Sequence, residues 1–205
     1  MVAILLDHNT VPILRRIDTM RVHLLRVLPK VFLRGLLSVM SAAVAALILM
    51  AANIHAEPAP INIVAIGASN TSGWGVNSHT AYPARLQAML REKAYNVRVM
   101  NAGMILDTTA GMLRRIDGAA PHGTRIVILQ PGGNDLRFFG TRERRMANID
   151  AIVARLRSRK IKVIVYDPVI APQYYQLDGI HITAKGHAKF AAELLPLVID
   201  AIKSL

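Results

Sequence analysis

A chain of 205 residues without a single cysteine suits one domain, and it excludes a disulfide framework, a thiolate metal site and a cysteine nucleophile. Its formal net charge of +12 would suit an anionic membrane surface, acidic glycans or nucleic acid as surroundings. Six basic and two acidic side chains lie in residues 1–56, so the remainder stays basic at +8.

The first third differs in character from the rest. Arg15, Arg16, Arg21, Arg26, Lys30 and Arg34 lead into the 22 residues from Gly35 to Ala56, which contain no Asp, Glu, Lys or Arg. A basic lead, an apolar run and then Ala56-Glu57-Pro58 read as an export signal cleaved after Ala56, with either Met1 or Met20 as the start. Ile54 fits a cleavage site poorly, and as a helix the charge-free run spans about 33 Å, enough for an uncleaved membrane anchor. Residues 1–56 are thus expected to be a signal peptide or anchor and 57–60 a Pro-rich linker. Residues 61–205 are expected to be the domain, periplasmic or secreted if the signal is cleaved and tethered to the membrane if it is retained.

Ile61 to Ile66 is a largely β-branched apolar run that reads as a strand buried on both faces, ending at Gly67-Ala68-Ser69-Asn70. Tyr82, Leu86, Met89 and Leu90 repeat at helical spacing and predict a helix over Tyr82 to Lys93. A second strand, Val97 to Met100, runs into Asn101-Ala102-Gly103; Thr108 or Thr109 then caps a short helix carrying Met112, Leu113 and Ile116. The third strand, Ile126 to Leu129, leads to Gly132-Gly133-Asn134-Asp135. A helix over Arg142 to Ser158 and a fourth strand, Val163 to Tyr166, precede Asp178-Gly179-Ile180-His181. Thr183 caps the last helix, which Pro196 would kink or break. Strands alternating with helices imply right-handed βαβ units and a parallel sheet covered on both sides.

Ligands bind at the carboxyl ends of the strands in such sheets, and every chemically suggestive residue falls there or in the loop after the last strand. A neutral serine hydroxyl needs a base to accept its proton, and that base needs a partner to fix its tautomer. Ser69, His181 and Asp178 fill these roles. The developing oxyanion calls for donors, and the N–H groups of Ser69 and Gly103 with the Asn134 side-chain amide are suited to it. Asp135 is expected to brace its loop. Trp74, Phe138, Phe139, Tyr174 and Tyr175 are candidates to line the substrate pocket. The histidines outside Asp178-Gly179-Ile180-His181 have no partners at ligand spacing, so no metal is expected, and no cofactor. The arginine-rich stretch from Arg142 to Lys162 reads either as a solvated helix face or as a membrane-facing surface; it carries no interleaved aromatic residues for base stacking, which argues against nucleic acid.

These four blocks, Gly67-Ala68-Ser69-Asn70, Asn101-Ala102-Gly103, Gly132-Gly133-Asn134-Asp135 and Asp178-Gly179-Ile180-His181, stand in the order found in the SGNH, or GDSL, hydrolases. The chain resembles that family, in particular its small bacterial lysophospholipase, thioesterase and arylesterase branch, over nearly all of residues 61–205. The resemblance implies a flavodoxin-like three-layer α/β/α sandwich with a parallel sheet of four or five strands. It also implies Ser69 as nucleophile, His181 as base with Asp178 behind it, and Gly103 and Asn134 completing the oxyanion hole. Two departures stand out: Ala68 replaces the usual Asp before the serine, and only 44 positions separate Asn134 from Asp178, too few for the helix and strand that relatives usually add there. The expected function is an exported serine esterase acting on a small-molecule or lipid ester or thioester of short acyl chain. Its alternative is a catalytically impaired lipid- or glycan-binding protein of the same fold.

Overall fold

The structure, a computed structural model, describes residues 30, 32, 34–48 and 58–205, apart from the side chain of Phe139. The chain divides into two units, Met1–Glu57 and Pro58–Leu205. In the first, the described residues are helical; the candidate starts at Met1 and Met20, most of the basic lead and the cleavage region at Ala56 lie outside the described residues. Among the described residues no helix is long and apolar enough to cross a membrane.

The second unit is a four-stranded sheet in the order β2-β1-β3-β4, with every pairing parallel. The strands are β1 (Ile61–Gly67), β2 (Val97–Gly103), β3 (Thr124–Gln130) and β4 (Lys162–Val165). The helices are α1 (Ser69–Ser72), α2 (Tyr82–Glu92), α3 (Thr109–Ala119), α4 (Arg142–Ser158) and α5 (Ala184–Lys203). Of the four or five strands the sequence allowed, four form.

Alternation along the central strands builds two cores. Ile63 and Ala65 of β1 and Ile126 and Ile128 of β3 face α2 and α5, where Tyr82, Leu86, Leu90, Phe190, Leu194 and Val198 are buried. Val64 and Ile66, with Val127 and Leu129, face the other way onto Met112 and Ile116 of α3 and Ile152 and Leu156 of α4. This is the three-layer sandwich, and the near-continuous apolar runs of β1 and β3 follow from burial on both faces.

Local chemistry sets the helix starts. Thr108, Thr141 and Thr183 each accept a hydrogen bond from the N–H three residues on, capping α3, α4 and α5. Of the two candidate caps for α3, the cap is Thr108. Three elements differ from the sequence reading. α1 forms where the sequence showed only the loop after β1. β2 continues through Asn101, Ala102 and Gly103, which pair with Ala65, Ile66 and Gly67; Asn101 Nδ2 donates to the carbonyl of Thr71 at 2.8 Å, and Gly103 lets the strand pass beneath α1, where a Cβ would stand 2.2 Å from the Ser72 nitrogen. α5 runs unbroken through Pro196. Pro196 is on the solvent side, and the carbonyl of Ala192 that loses its partner belongs to an exposed residue, so water can satisfy it.

Candidate active site

β1 and β3 lie at the centre of the sheet, and the chain leaves β1 toward β2 on one side and β3 on the other. Such a reversal of strand order opens a crevice at the carboxyl ends. Gly67 ends β1 where a side chain has no room: a Cβ there would stand 2.0 Å from Thr71 Oγ1 and 2.7 Å from the carbonyl oxygen of Gln130. The chain then turns directly into α1, of which Ser69 is the first residue, so its N–H has no partner within the helix. Ser69 is buried. Thr71, behind it, is fixed in the core by hydrogen bonds to Gln130 Oε1 and the Tyr82 hydroxyl, each 3.2 Å long.

Asp178 and His181 sit on the loop between β4 and α5. His181 Nδ1 and Asp178 Oδ2 are 2.6 Å apart, while Asp178 Oδ1 accepts from the N–H groups of Ile180 and His181, both at 2.9 Å. The N–H of His181, then its ring, then the N–H of Ile180 hold the Asp178 carboxyl down to about 2. The carboxylate is therefore charged wherever the protein would work, and it fixes a proton on Nδ1 so that Nε2 is free to accept one.

The side chain of Asn70 joins this loop to the serine turn. Its Nδ2 donates to the carbonyl of Ile180 at 3.3 Å and its Oδ1 accepts from the N–H of Ile182 at 3.0 Å, one bond on each side of His181. Gln176 adds a second tie, donating from Nε2 to the carbonyls of Trp74 and Ile182 at 3.1 and 2.9 Å. The Trp74 ring stands 6.0 Å from the His181 ring. The sequence reading missed Asn70 and Gln176. Asn70 offered a signal, a polar residue directly after the serine, whereas Gln176 offered none.

The expected oxyanion donors differ in availability. Asn134 is buried, and its Nδ2 donates one proton to the carbonyl of Asp107 at 2.9 Å, leaving the second proton of the amide for a ligand. Asp107, which the sequence reading did not single out, is itself held by Arg115 at 2.8 Å. The N–H of Gly103 instead donates to Asn101 Oδ1 at 2.9 Å, so its hydrogen bond is already engaged. Asp135 accepts from the N–H and hydroxyl of Thr109, bracing the loop against the start of α3.

A cavity of about 320 Å³ opens beside the serine, lined by Ser69, Asn134, Ile170 and Tyr175 among others. Of the expected pocket residues whose side chains are described, Tyr175 alone lines it. The Tyr174 ring lies beneath Lys189 and its carbonyl accepts from Thr183, Phe138 is exposed outside the lining, and the side chain of Phe139 lies outside the described residues. Ala68, in place of the acidic residue usual in relatives, is buried against the second core and also borders the cavity.

A profile of the GDSL-like lipase/acylhydrolase family matches residues 65–178, from the middle of β1 to Asp178. The chain belongs to this family. Among relatives, esterase TesA of Pseudomonas aeruginosa is 28% identical over 120 residues, 58% of this chain and 59% of that esterase, so the match spans little more than half of it. In three dimensions the family fold is plain. A crystal structure of TesA superposes with a TM-score of 0.63 at 20% identity, covering 68% of this chain and 99% of the other. AlinE4, an SGNH-hydrolase family esterase, does so at 0.55 and 25% identity, covering 71% and 98%. The psychrotrophic esterase EstA of Pseudoalteromonas sp., in a structure inhibited by monoethylphosphonate, superposes at 0.55 and 16% identity, covering 70% and 94%.

Proposed function

We propose that this member of the family is an exported serine esterase that hydrolyses carboxylic esters or thioesters of short acyl chain through an acyl-enzyme on Ser69. The observation that carries the reading is the Asp178–His181 pair at 2.6 Å, on a loop tied by Asn70 to the turn that bears Ser69. In the mechanism proposed, His181 Nε2 takes the Ser69 proton as Oγ attacks the carbonyl carbon. The resulting oxyanion accepts from the Ser69 N–H and the second Asn134 amide proton. Collapse breaks the carbon–oxygen or carbon–sulfur bond to the leaving group, which departs with the proton from His181. Water, deprotonated by the same imidazole, then hydrolyses the acyl-enzyme and returns Ser69 to its neutral state. Gly103 would join the hole only if Asn101 released its N–H.

The cavity supports short acyl groups. At about 320 Å³ it stands at the low end of ligand pockets, and each methylene it could not bury forgoes about 0.8 kcal/mol. The basic lead and charge-free run of the sequence support export, by a cleaved signal or a retained anchor.

Incubating the protein with a fluorophosphonate probe tests the reading. Covalent labelling at Ser69, lost in Ser69→Ala, is expected. A folded protein that the probe leaves unlabelled would favour the non-catalytic lipid- or glycan-binding alternative. Rates on a p-nitrophenyl ester series from acetyl to palmitoyl should peak at butyryl or below, and a maximum at octanoyl or longer would overturn the short-chain part alone.

A further inference from the structure

The cavity beside Ser69 is also lined by three arginines, Arg137, Arg142 and Arg145, against one carboxylate, Asp167. Arg145 is occupied: it donates to the carbonyl of Gly132 at 3.2 and 3.0 Å and pairs with Asp167 at 2.7 Å. Its side chain is only 13% exposed, and it holds the loop before Asn134. Asp167 is thereby used up. Among the described residues neither Arg137 nor Arg142 makes a side-chain hydrogen bond or ion pair; both are exposed and line the cavity, and Glu143, which interacts with Arg142 through charge alone, is outside the lining.

The placement of Arg142 runs against helix electrostatics, whereas Arg137 stands at the end of the short helical turn Asp135–Phe139. Arg142, Arg144 and Arg145 open α4, with Glu143 as the only acidic residue of the first turn, although the amino end of a helix disfavours cations. Glu143 does not offset them in the cavity. It is not among the lining residues, and its carboxyl is held low by its own backbone N–H first, by the Thr141 hydroxyl next, and by Arg142 least. Arg142 at that unfavourable end and Arg137 in the preceding turn both line the cavity that also holds the candidate nucleophile, and so are placed to meet a ligand charge. Each guanidinium fork matches the paired oxygens of a carboxylate, phosphate or sulfate.

We propose that Arg137 and Arg142 form an anion subsite and that the ester this protein cleaves carries a carboxylate, phosphate or sulfate on its acyl or its alcohol part. The inference rests on Ser69 being the nucleophile, since it is the shared cavity that sets the ester and the anion within one substrate. The anion would lie across the cavity from the ester carbon, and the apolar Leu136, Pro168 and Ile170 would pack the short spacer between them.

Two pairs of esters test it on the full-length protein. For the acyl side, the p-nitrophenyl ester of adipic acid with its second carboxyl free is compared with the same ester methylated there. For the alcohol side, 4-butyryloxybenzenesulfonate is compared with its neutral methyl sulfone counterpart. On at least one arm the charged member should show a kcat/KM about tenfold or more above its neutral partner, the size of one charge-assisted contact. That ratio should fall toward one in the Arg137→Gln/Arg142→Gln double variant. It should also fall in the parent as salt is raised to about 1 M, where screening acts within about 3 Å. The salt series needs no variant to fold. A parent that hydrolyses the neutral esters with ratios of one or less on both arms, or a high ratio that neither salt nor the double variant lowers, overturns the subsite and leaves the esterase reading standing. No turnover of any ester, with no fluorophosphonate labelling at Ser69, brings down both.

Discussion

The arrangement around Asp178 sets unequal costs for different replacements. Oδ1 is committed to two backbone N–H groups and Oδ2 to the His181 ring, so an Asn in its place keeps its oxygen on the backbone and presents NH₂ to Nδ1. Nδ1 must then accept, which puts the ring proton on Nε2 and leaves no base for the serine. Asp178→Asn is therefore expected to lower kcat by roughly 10⁴, and Asp178→Ala, which leaves the tautomer free, by less. Comparing the two turnover numbers checks this, and an Asn variant faster than the Ala variant would contradict the assigned orientation. At Asn134 the expectation is a loss of about a hundredfold in kcat for Asn134→Ala, about 2.7 kcal/mol for one oxyanion donor. Part of that change would come from the released Asp107 carbonyl, so Tm should be measured alongside.

At the scale of elements, two junctions hold the site. Asn70 spans α1 and the His181 loop with bonds on both sides of the histidine, so Asn70→Ala should lower kcat by tenfold or more with little change in KM, because the base is misplaced while the cavity persists. Equal losses in kcat and in stability would point to a structural role only. The second junction is between α2 and α5, where fully buried His187 accepts from the N–H of Tyr82 at 3.2 Å and its Nε2 has no partner among the described residues. Burial first, and the charge of Arg85 second, press this imidazole down to about 4. The unfolded chain binds the proton near its ordinary value of about 6.5 and the folded one does not, so stability is full above about pH 6.5 and falls as pH drops toward 4. Below that both states are protonated and the effect levels off, with at most about 3 kcal/mol lost in all. Denaturant melts between pH 4 and 7 would show the slope, and His187→Gln should flatten it.

For the whole molecule, the expectation is position in the cell. Expression of the full chain followed by fractionation should recover esterase activity outside the cytoplasm or in the membrane fraction, and a wholly cytoplasmic, full-length product would overturn export. Within the second unit the two cores are independent enough to be probed separately. Ile128→Ala and Leu129→Ala, on opposite faces of β3, should each cost about 2–5 kcal/mol, measured by denaturation, because neither side of the central strand is exposed.

The order of elements and the parallel sandwich were legible in the sequence, and so were Ser69, His181 and Asp178 as candidates, since each is written locally: apolar runs for strands buried on both faces, threonines at helix starts, suggestive residues at strand ends. Ser69 and Asn134 declared themselves by following β1 and β3, and Asp178 and His181 lie close enough in the chain to meet in one turn. What the sequence could not show depends on contacts between residues far apart along it. Asn70 and Ile182 are joined only when α1 and the last loop are brought together, Asn101, whose Oδ1 engages the Gly103 N–H, is itself held by donating to the carbonyl of Thr71 in α1, and Phe138 and Tyr174 are near the site in sequence yet outside the cavity. The same holds for the arginines. As a run from Arg142 onward they read as a solvated helix face, and only the packing of α4 against the sheet turns some of them toward the cavity that holds Ser69, because which face of a helix meets a cleft is decided by what it packs against.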